Sequence, residues 1–285
     1  MDLLILCPQW GHEHLSPEAF LEKVKEAGFD GIDTWMPEER EKRKKFIQLV
    51  RDHKLAIVSH QHRANGDNIT AFCRSFEYYL NVSLECEPLS INSHSGRDYF
   101  TLDEQLQILD TAFNFAVKKG IQVNHETHRG RMFFSPGNAD LLFNARPEVT
   151  ITADFSHWVC VAENLNLTGF EKIVDKAIRR AAHIHARVGF EEGPQVTDPR
   201  LPAWQKEVTV FLSWWDKIIE HQASKGASLM TVTPEFGPFP YMWQLPGTGE
   251  PVASQWDINM FIKDLLKKRY ATNKKSPDQP SDHNL

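Results

Sequence analysis

Cysteine is scarce in these 285 residues: Cys7, Cys73, Cys86 and Cys160 stand far apart, with no CxxC among them. That spacing argues against a disulfide framework or a zinc finger, so the four read as reduced thiols in a cytoplasmic compartment. Basic excess is missing as well, since 32 Lys and Arg against 38 Asp and Glu leave a formal charge of −6. A sequence-independent nucleic-acid binder needs a basic surface to neutralise phosphates, so no nucleic-acid partner is expected. No stretch approaches the ~20 consecutive apolar residues that cross a bilayer. The opening "MDLLILCPQWGHEH" turns polar after a short apolar run, so it reads as a first strand and no membrane partner is expected.

Short apolar runs alternate with amphipathic segments from end to end. The expected strands are 3–9, 31–35, 56–62, 89–94, 121–128, 149–156, 182–188 and 229–236. Between them, "SPEAFLEKVKEAG" opens on a Ser cap followed by Pro and closes on Gly28, and "TLDEQLQILDTAFNFAVKKG" opens on Thr101 with Glu104 at the capping-box position and closes on Gly120. Further helices are expected over 37–53, 67–84, 136–146, 169–180, 204–224 and 256–269. Eight strand-helix units over residues 1–270 predict a single-domain (β/α)8 TIM barrel. A doubly wound sheet is the alternative, but the first strand-to-helix turn carries no GxGxxG. Residues 271–285, "ATNKKSPDQPSDHNL", lack apolar periodicity and read as a flexible tail.

In such a barrel the active site lies at the C-terminal strand ends, and polar residues collect there at every second position. Asp33 and Trp35 end the second strand, His60 and His62 the third, Asn92 and His94 the fourth, Asn124, Glu126 and His128 the fifth. Asp154 and then His157 end the sixth, His183, His185 and Arg187 mark the seventh, and Glu235 ends the eighth. Period-two spacing sends such side chains to one face. Glu126, Asp154, His185 and Glu235, from four successive strands, make three carboxylates and one imidazole. That set suits one divalent ion of the Mn, Co, Mg or Zn type with positions left open for substrate. Gathered without a counter-ion, the carboxylates would repel one another and lose solvation.

"GFDGIDTW", "HETH", "DFSHW", "HIHARVG" and "TPEFGP" together resemble the xylose-isomerase-like TIM barrels, and within them the sugar phosphate isomerase/epimerase family, over residues 1 to about 270. The resemblance to the ketose 3-epimerases implies that Glu126, Asp154, His185 and Glu235 hold the metal. It also implies that Glu126 and Glu235 serve as acid and base across the inverted carbon, that His157 contacts a substrate oxygen, and that His185 rather than His183 is the ligand. His185 is then neutral, Arg187 carries the positive charge, and His183 sits one layer deeper. Arg187 follows the ligand by two residues, nearer than the arginine of the epimerases.

The chemistry implied is proton abstraction next to a carbonyl through a metal-stabilised enediolate, in an isomerase or epimerase of a keto-sugar or polyol derivative. His60, His62, His94, Arg187 and Trp35 are then the expected substrate-binding groups beside His157, because a sugar needs both apolar faces and hydrogen-bonding edges. Aromatics in "GRDYF" (96–100) and "GPFPYMW" (237–243) are candidates for the cavity wall. The same site suits a dehydratase or lyase acting on a keto-sugar, keto-inositol or 3-keto-glycoside. An endonuclease-four-like phosphodiesterase and a non-catalytic sugar-binding barrel are the remaining alternatives. The expected partner is a small carbohydrate, with self-association into a homo-oligomer left open.

Overall fold

The computed structural model describes residues 1–270, so the expected tail at 271–285 lies outside the described residues. Eight parallel strands close into a barrel in sequence order. They are β1 (Asp2–Pro8), β2 (Gly31–Thr34), β3 (Ala56–Gln61), β4 (Ser90–Ser93), β5 (Val123–Glu126), β6 (Thr150–Ala153), β7 (Ala181–His185) and β8 (Leu229–Thr233). Closure is made by β1 against β8, with Asp2 opposite Leu229 and Ile5 opposite Val232. A closed barrel has no free sheet edge, and it rules out the doubly wound alternative.

The outer helices are α1 (Pro17–Glu26), α2 (Arg40–His53), α3 (Ile69–Leu84), α4 (Leu102–Lys119), α5 (Pro136–Ala145), α6 (Phe155–Ala162), α7 (Glu171–Arg180), α8 (Gln205–Ser224) and α9 (Gln255–Tyr270). The caps expected from the sequence form. Ser16 accepts from the Ala19 amide, Thr101 and Glu104 complete a capping box, and Gly120 takes the left-handed conformation that ends α4. None of these helices is long and apolar enough to cross a membrane.

Every strand ends earlier than expected, and the last three stop three residues short. The sixth strand stops at Ala153, because Asp154 caps α6 by accepting from the Ser156 amide, and the apolar run that follows is helix. The seventh stops at His185, where the Arg187 amide turns back to the His185 carbonyl at 2.9 Å. The eighth stops at Thr233. In each case the chain leaves the sheet just where the chemistry-bearing side chains begin.

Apolar residues fill the layer between strands and helices, with Phe20, Phe72, Phe76, Trp158, Phe211 and Trp215 almost completely enclosed. Barrel interiors are commonly packed with branched aliphatics. This one is polar: Asp33, Asn92, Asn124, Thr152, His183, Thr231 and Thr233 are all buried.

Candidate active site

The polar interior makes a scaffold for His185. Its Nε2 donates to Asp33 Oδ2 at 3.0 Å across the barrel, and His183 Nε2 donates to the same oxygen at 3.2 Å. Thr233 Oγ1 adds a third bond at 3.0 Å, and His183 Nδ1 accepts from Thr231 Oγ1 at 2.7 Å. With Nε2 committed to Asp33, His185 turns Nδ1 toward Glu235 Oε2 at 2.7 Å and Glu126 Oε2 at 3.6 Å. Both atoms are buried, and they meet as an ion pair without a well-formed hydrogen bond between them.

Glu126, Asp154, His185 and Glu235 thus meet, each offering one ligand atom within 4.8 Å of the others. These donors fit a divalent cation, because three carboxylates converge on one imidazole and two of the buried donor atoms make no hydrogen bond. Arg187 enters the same cluster. Its Nη2 bonds to Asp154 Oδ2, lies 2.9 Å from His157 Nε2 and stands 3.4 Å from Glu235 Oε2. Its Nε donates to Ser156 Oγ at 3.2 Å. Here the arginine two residues beyond the histidine is an internal counter-ion.

The cluster spreads the ionisation of its members apart. Burial pushes the Asp33 carboxyl up, but the bonds from His183 and His185 outweigh it and hold it below the usual range. Burial raises Glu126 too, yet His94 and His185 overcome this and hold it well below an ordinary glutamate. Asn92 Nδ2 also donates to Glu126, at 2.7 Å. Glu235 goes the other way: burial lifts it to about 7 against the opposing pull of His185 and Arg187. Burial favours a neutral His185, but Glu235, Glu126 and Asp33 push it well above the usual imidazole range. With protein groups alone around it, the surrounding carboxylates thus favour the protonated form of His185. The neutral imidazole expected from the sequence belongs to a site that holds a metal ion.

Above this floor lies a cavity of about 300 Å³ lined by Trp10, Trp35, His60, His62, His94, Glu126, His128, Arg131, Arg187, Glu235 and Tyr241. Trp35, His60, His62, His94 and Arg187 all reach it, as does Tyr241 of the "GPFPYMW" segment. His157 stands behind the wall, fully buried, with its ring 3.9 Å from that of His128. "GRDYF" contributes nothing to this lining: Tyr99 faces solvent, and Phe100 packs on Phe72. His12 is buried beside Phe20 and Trp256, while His14 is exposed.

Sequence reasoning missed Trp10 and Arg131, and it did not count His128 among the substrate-binding groups. His128 was signalled by its spacing of two from Glu126. Trp10 depends on a distant glycine: a Cβ on Gly237 would lie 2.1 Å from the Trp10 ring, so only glycine lets the indole reach the cavity. Gln195 holds that glycine by accepting from its amide at 2.7 Å and donating to its carbonyl at 3.2 Å.

His125 lies on the opposite face of β5 from Glu126, against Phe133, with Nδ1 2.7 Å from Ser95 Oγ. Burial drives its pKa from 6.5 down to about 3, so the folded chain holds it neutral. Protons then bind the unfolded chain first. The stability from this neutral state is intact above pH 6.5 and is lost as pH falls toward 3, by about 1.4 kcal/mol per pH unit. Urea unfolding between pH 7 and pH 4 should show at least this slope. His125→Gln should flatten the dependence by that amount, and an unchanged slope would contradict the assignment.

No protein-family profile matches the chain, and no curated protein sequence does either. Solved structures do match. The probable 3-DHS dehydratase involved in petrobactin synthesis from Bacillus anthracis aligns at TM-score 0.62 and 16% identity, over 94% of this chain and all of that one, 100%. The D-allulose 3-epimerase from Methylomonas sp. aligns at TM-score 0.59 and 13% identity, over 94% of this chain and 98% of that one. A xylose isomerase-like TIM barrel protein from Mycobacterium smegmatis, in complex with magnesium, aligns at TM-score 0.54 and 13% identity, over 83% and 91%. The chain therefore shares the fold of the xylose isomerase-like TIM barrels.

Proposed function

We propose that this chain is a metal-dependent isomerase or epimerase of a keto-sugar or polyol derivative, of the sugar phosphate isomerase/epimerase kind. The observation that carries the reading is the convergence of Glu126, Asp154, His185 and Glu235 at the floor of a cavity walled by aromatic rings and imidazoles. The likeness to a D-allulose 3-epimerase supports it. The four residues would hold one divalent ion of the Mn, Co, Mg or Zn type, and the magnesium in a structural neighbour agrees with that choice. Such an ion supplies Lewis-acid polarisation of a carbonyl and stabilises negative charge developing on its oxygen. Four unpaired thiols suit a reducing, cytoplasmic setting.

The protein's own part is proton transfer and positioning. Glu126 and Glu235 both face the cavity, so one carboxylate takes the proton next to the carbonyl and the other returns it. Return to the neighbouring carbon isomerises, and return to the opposite face of the same carbon epimerises. The Trp10 and Trp35 rings offer apolar faces to the ligand, and His60, His62 and His94 offer hydrogen-bonding edges. Asn92 holds Glu126, and Arg187 holds Asp154 and His157, so neither end of the site is free to reorient.

Incubation of Mn²⁺-loaded protein with ketoses, keto-inositols and 3-keto-glycosides in heavy water tests this reading. Deuterium uptake next to the carbonyl, without loss of water or an aglycone, is the expected result. Loss of water or an aglycone would replace it by the dehydratase or lyase reading, which the likeness to a probable 3-DHS dehydratase favours as second. Uptake with none of them would overturn both. Overlapping groups such as His60, His94 and Glu126 make metal content a second check. One ion per chain is expected, whereas three with cleavage of an abasic duplex would favour the endonuclease-four-like alternative.

Asp33 fixes which nitrogen of His185 faces the carboxylates. Histidine ligands depend on such partners, whose loss commonly costs 10–100-fold in metal affinity. Asp33→Asn should weaken Mn²⁺ binding by roughly that factor in a calorimetric titration while leaving the far-ultraviolet circular dichroism unchanged. Unaltered affinity would remove Asp33 from this role.

A further inference from the structure

The cavity carries charge of both signs. Glu126, Glu235 and their counter-ion Arg187 meet at its floor, whereas Arg131 lies in the lining outside that ion-paired cluster. Arg187 spends Nη2 and Nε on Asp154, His157 and Ser156, but its Nη1 is buried with no hydrogen-bond partner. Arg131 is less committed still. Its Nη1 is buried and unpartnered, and among the described residues no carboxylate forms an ion pair with it. A third arginine, Arg129, stacks over Tyr241 at 5.3 Å, on a ring that Arg187 also covers at 4.8 Å.

Buried guanidinium N–H groups without acceptors are uncommon, and those lining a cavity call for an acceptor from the ligand. The fixed cationic side chains in the cavity lining are the two arginines. Their planar fork matches a carboxylate in two parallel hydrogen bonds. A neutral sugar would leave the Arg131 charge uncompensated beside the ligand.

We propose that the ligand of this cavity is an acid of the sugar or cyclic-polyol series, its keto-hydroxyl end at the Glu126 and Glu235 floor and its carboxylate at Arg131. This rests on the carbohydrate reading of the site and narrows it from neutral ketoses to keto acids. The carboxylate is bound and not altered, so the chemistry at the floor is unchanged. Arg131 acts as a specificity residue.

Quenching of tryptophan fluorescence, with Trp10 and Trp35 in the cavity wall, gives a binding readout independent of turnover. Mn²⁺-loaded protein is titrated at low ionic strength with 5-keto-D-gluconate, D-fructose and D-fructose 6-phosphate. The keto acid should bind at least tenfold tighter than fructose. Arg131→Gln should abolish that advantage with fructose affinity unchanged, and Arg131→Lys should restore part of it. Equal binding of keto acid and fructose would overturn the carboxylate assignment while leaving the sugar site standing. Preference for the phosphate ester would overturn it in favour of a sugar phosphate. An equal loss for all three ligands in Arg131→Gln would reduce Arg131 to a structural role. Absence of saturable binding by any of them would remove the carbohydrate reading together with this one.

Discussion

Glu126→Gln or Glu235→Gln should lower kcat/KM on an identified substrate by about 10²–10⁴-fold, the range that positioned acid–base groups contribute. Glutamine keeps the shape of the side chain but can neither accept the proton nor offer the same charge to a cation. Both side chains are buried in the cluster, so neither change adds or removes a solvated surface group. Measuring Mn²⁺ content beside turnover separates the two contributions. A variant that keeps its metal and loses activity has lost proton transfer, and one that loses both has lost a ligand. Activity within threefold of the parent with metal retained would end the acid–base assignment.

Arg187→Met should destabilise the metal-free chain by about 3–5 kcal/mol, the typical penalty for removing one partner of a buried ion pair. Arg187 is 1% exposed and Asp154 is 0% exposed, so water cannot replace the lost guanidinium. Methionine has comparable length and fills much of the volume, which keeps a cavity from dominating the result. The expected drop in Tm is on the order of 10 °C. Repeating the melt with saturating Mn²⁺ should narrow the gap between variant and parent, because a cation beside Asp154 would offset the charge left behind. A drop below about 1 kcal/mol would mean that the pair contributes little net stability.

The alternation of strands and helices was legible because α1 and α4 carry their own start and stop signals and each strand keeps its own apolar run. The candidate ligands were legible for a related reason: spacing of two inside one strand is a local property, and β5 and β7 obey it at Asn124 and Glu126, and at His183 and His185. Asp33 was visible at the end of β2, but its partners are 150 and 152 residues away. Only closure of the barrel joins them. Helix α6 escaped because Asp154 looks like the end of a strand and is also a helix cap. Arg131 and Trp10 escaped because loop conformation, and in the second case the bare backbone of Gly237, determines what reaches the cavity.

Closure of the sheet between Asp2 and Leu229 also has a consequence for how the molecule is made. The four proposed ligands come from β5 to β8, and the last, Glu235, lies beyond the final strand. The seam that finishes the barrel needs the first and last strands together. A nascent chain emerging N-terminus first therefore holds Asp33, His60 and Asn92 before any proposed ligand has been translated. Glu235 clears the ribosome only with the strand that seals the sheet. Cation capture should therefore be a late event in biosynthesis, and ribosome-bound chains stopped before β8 should fail to retain Mn²⁺.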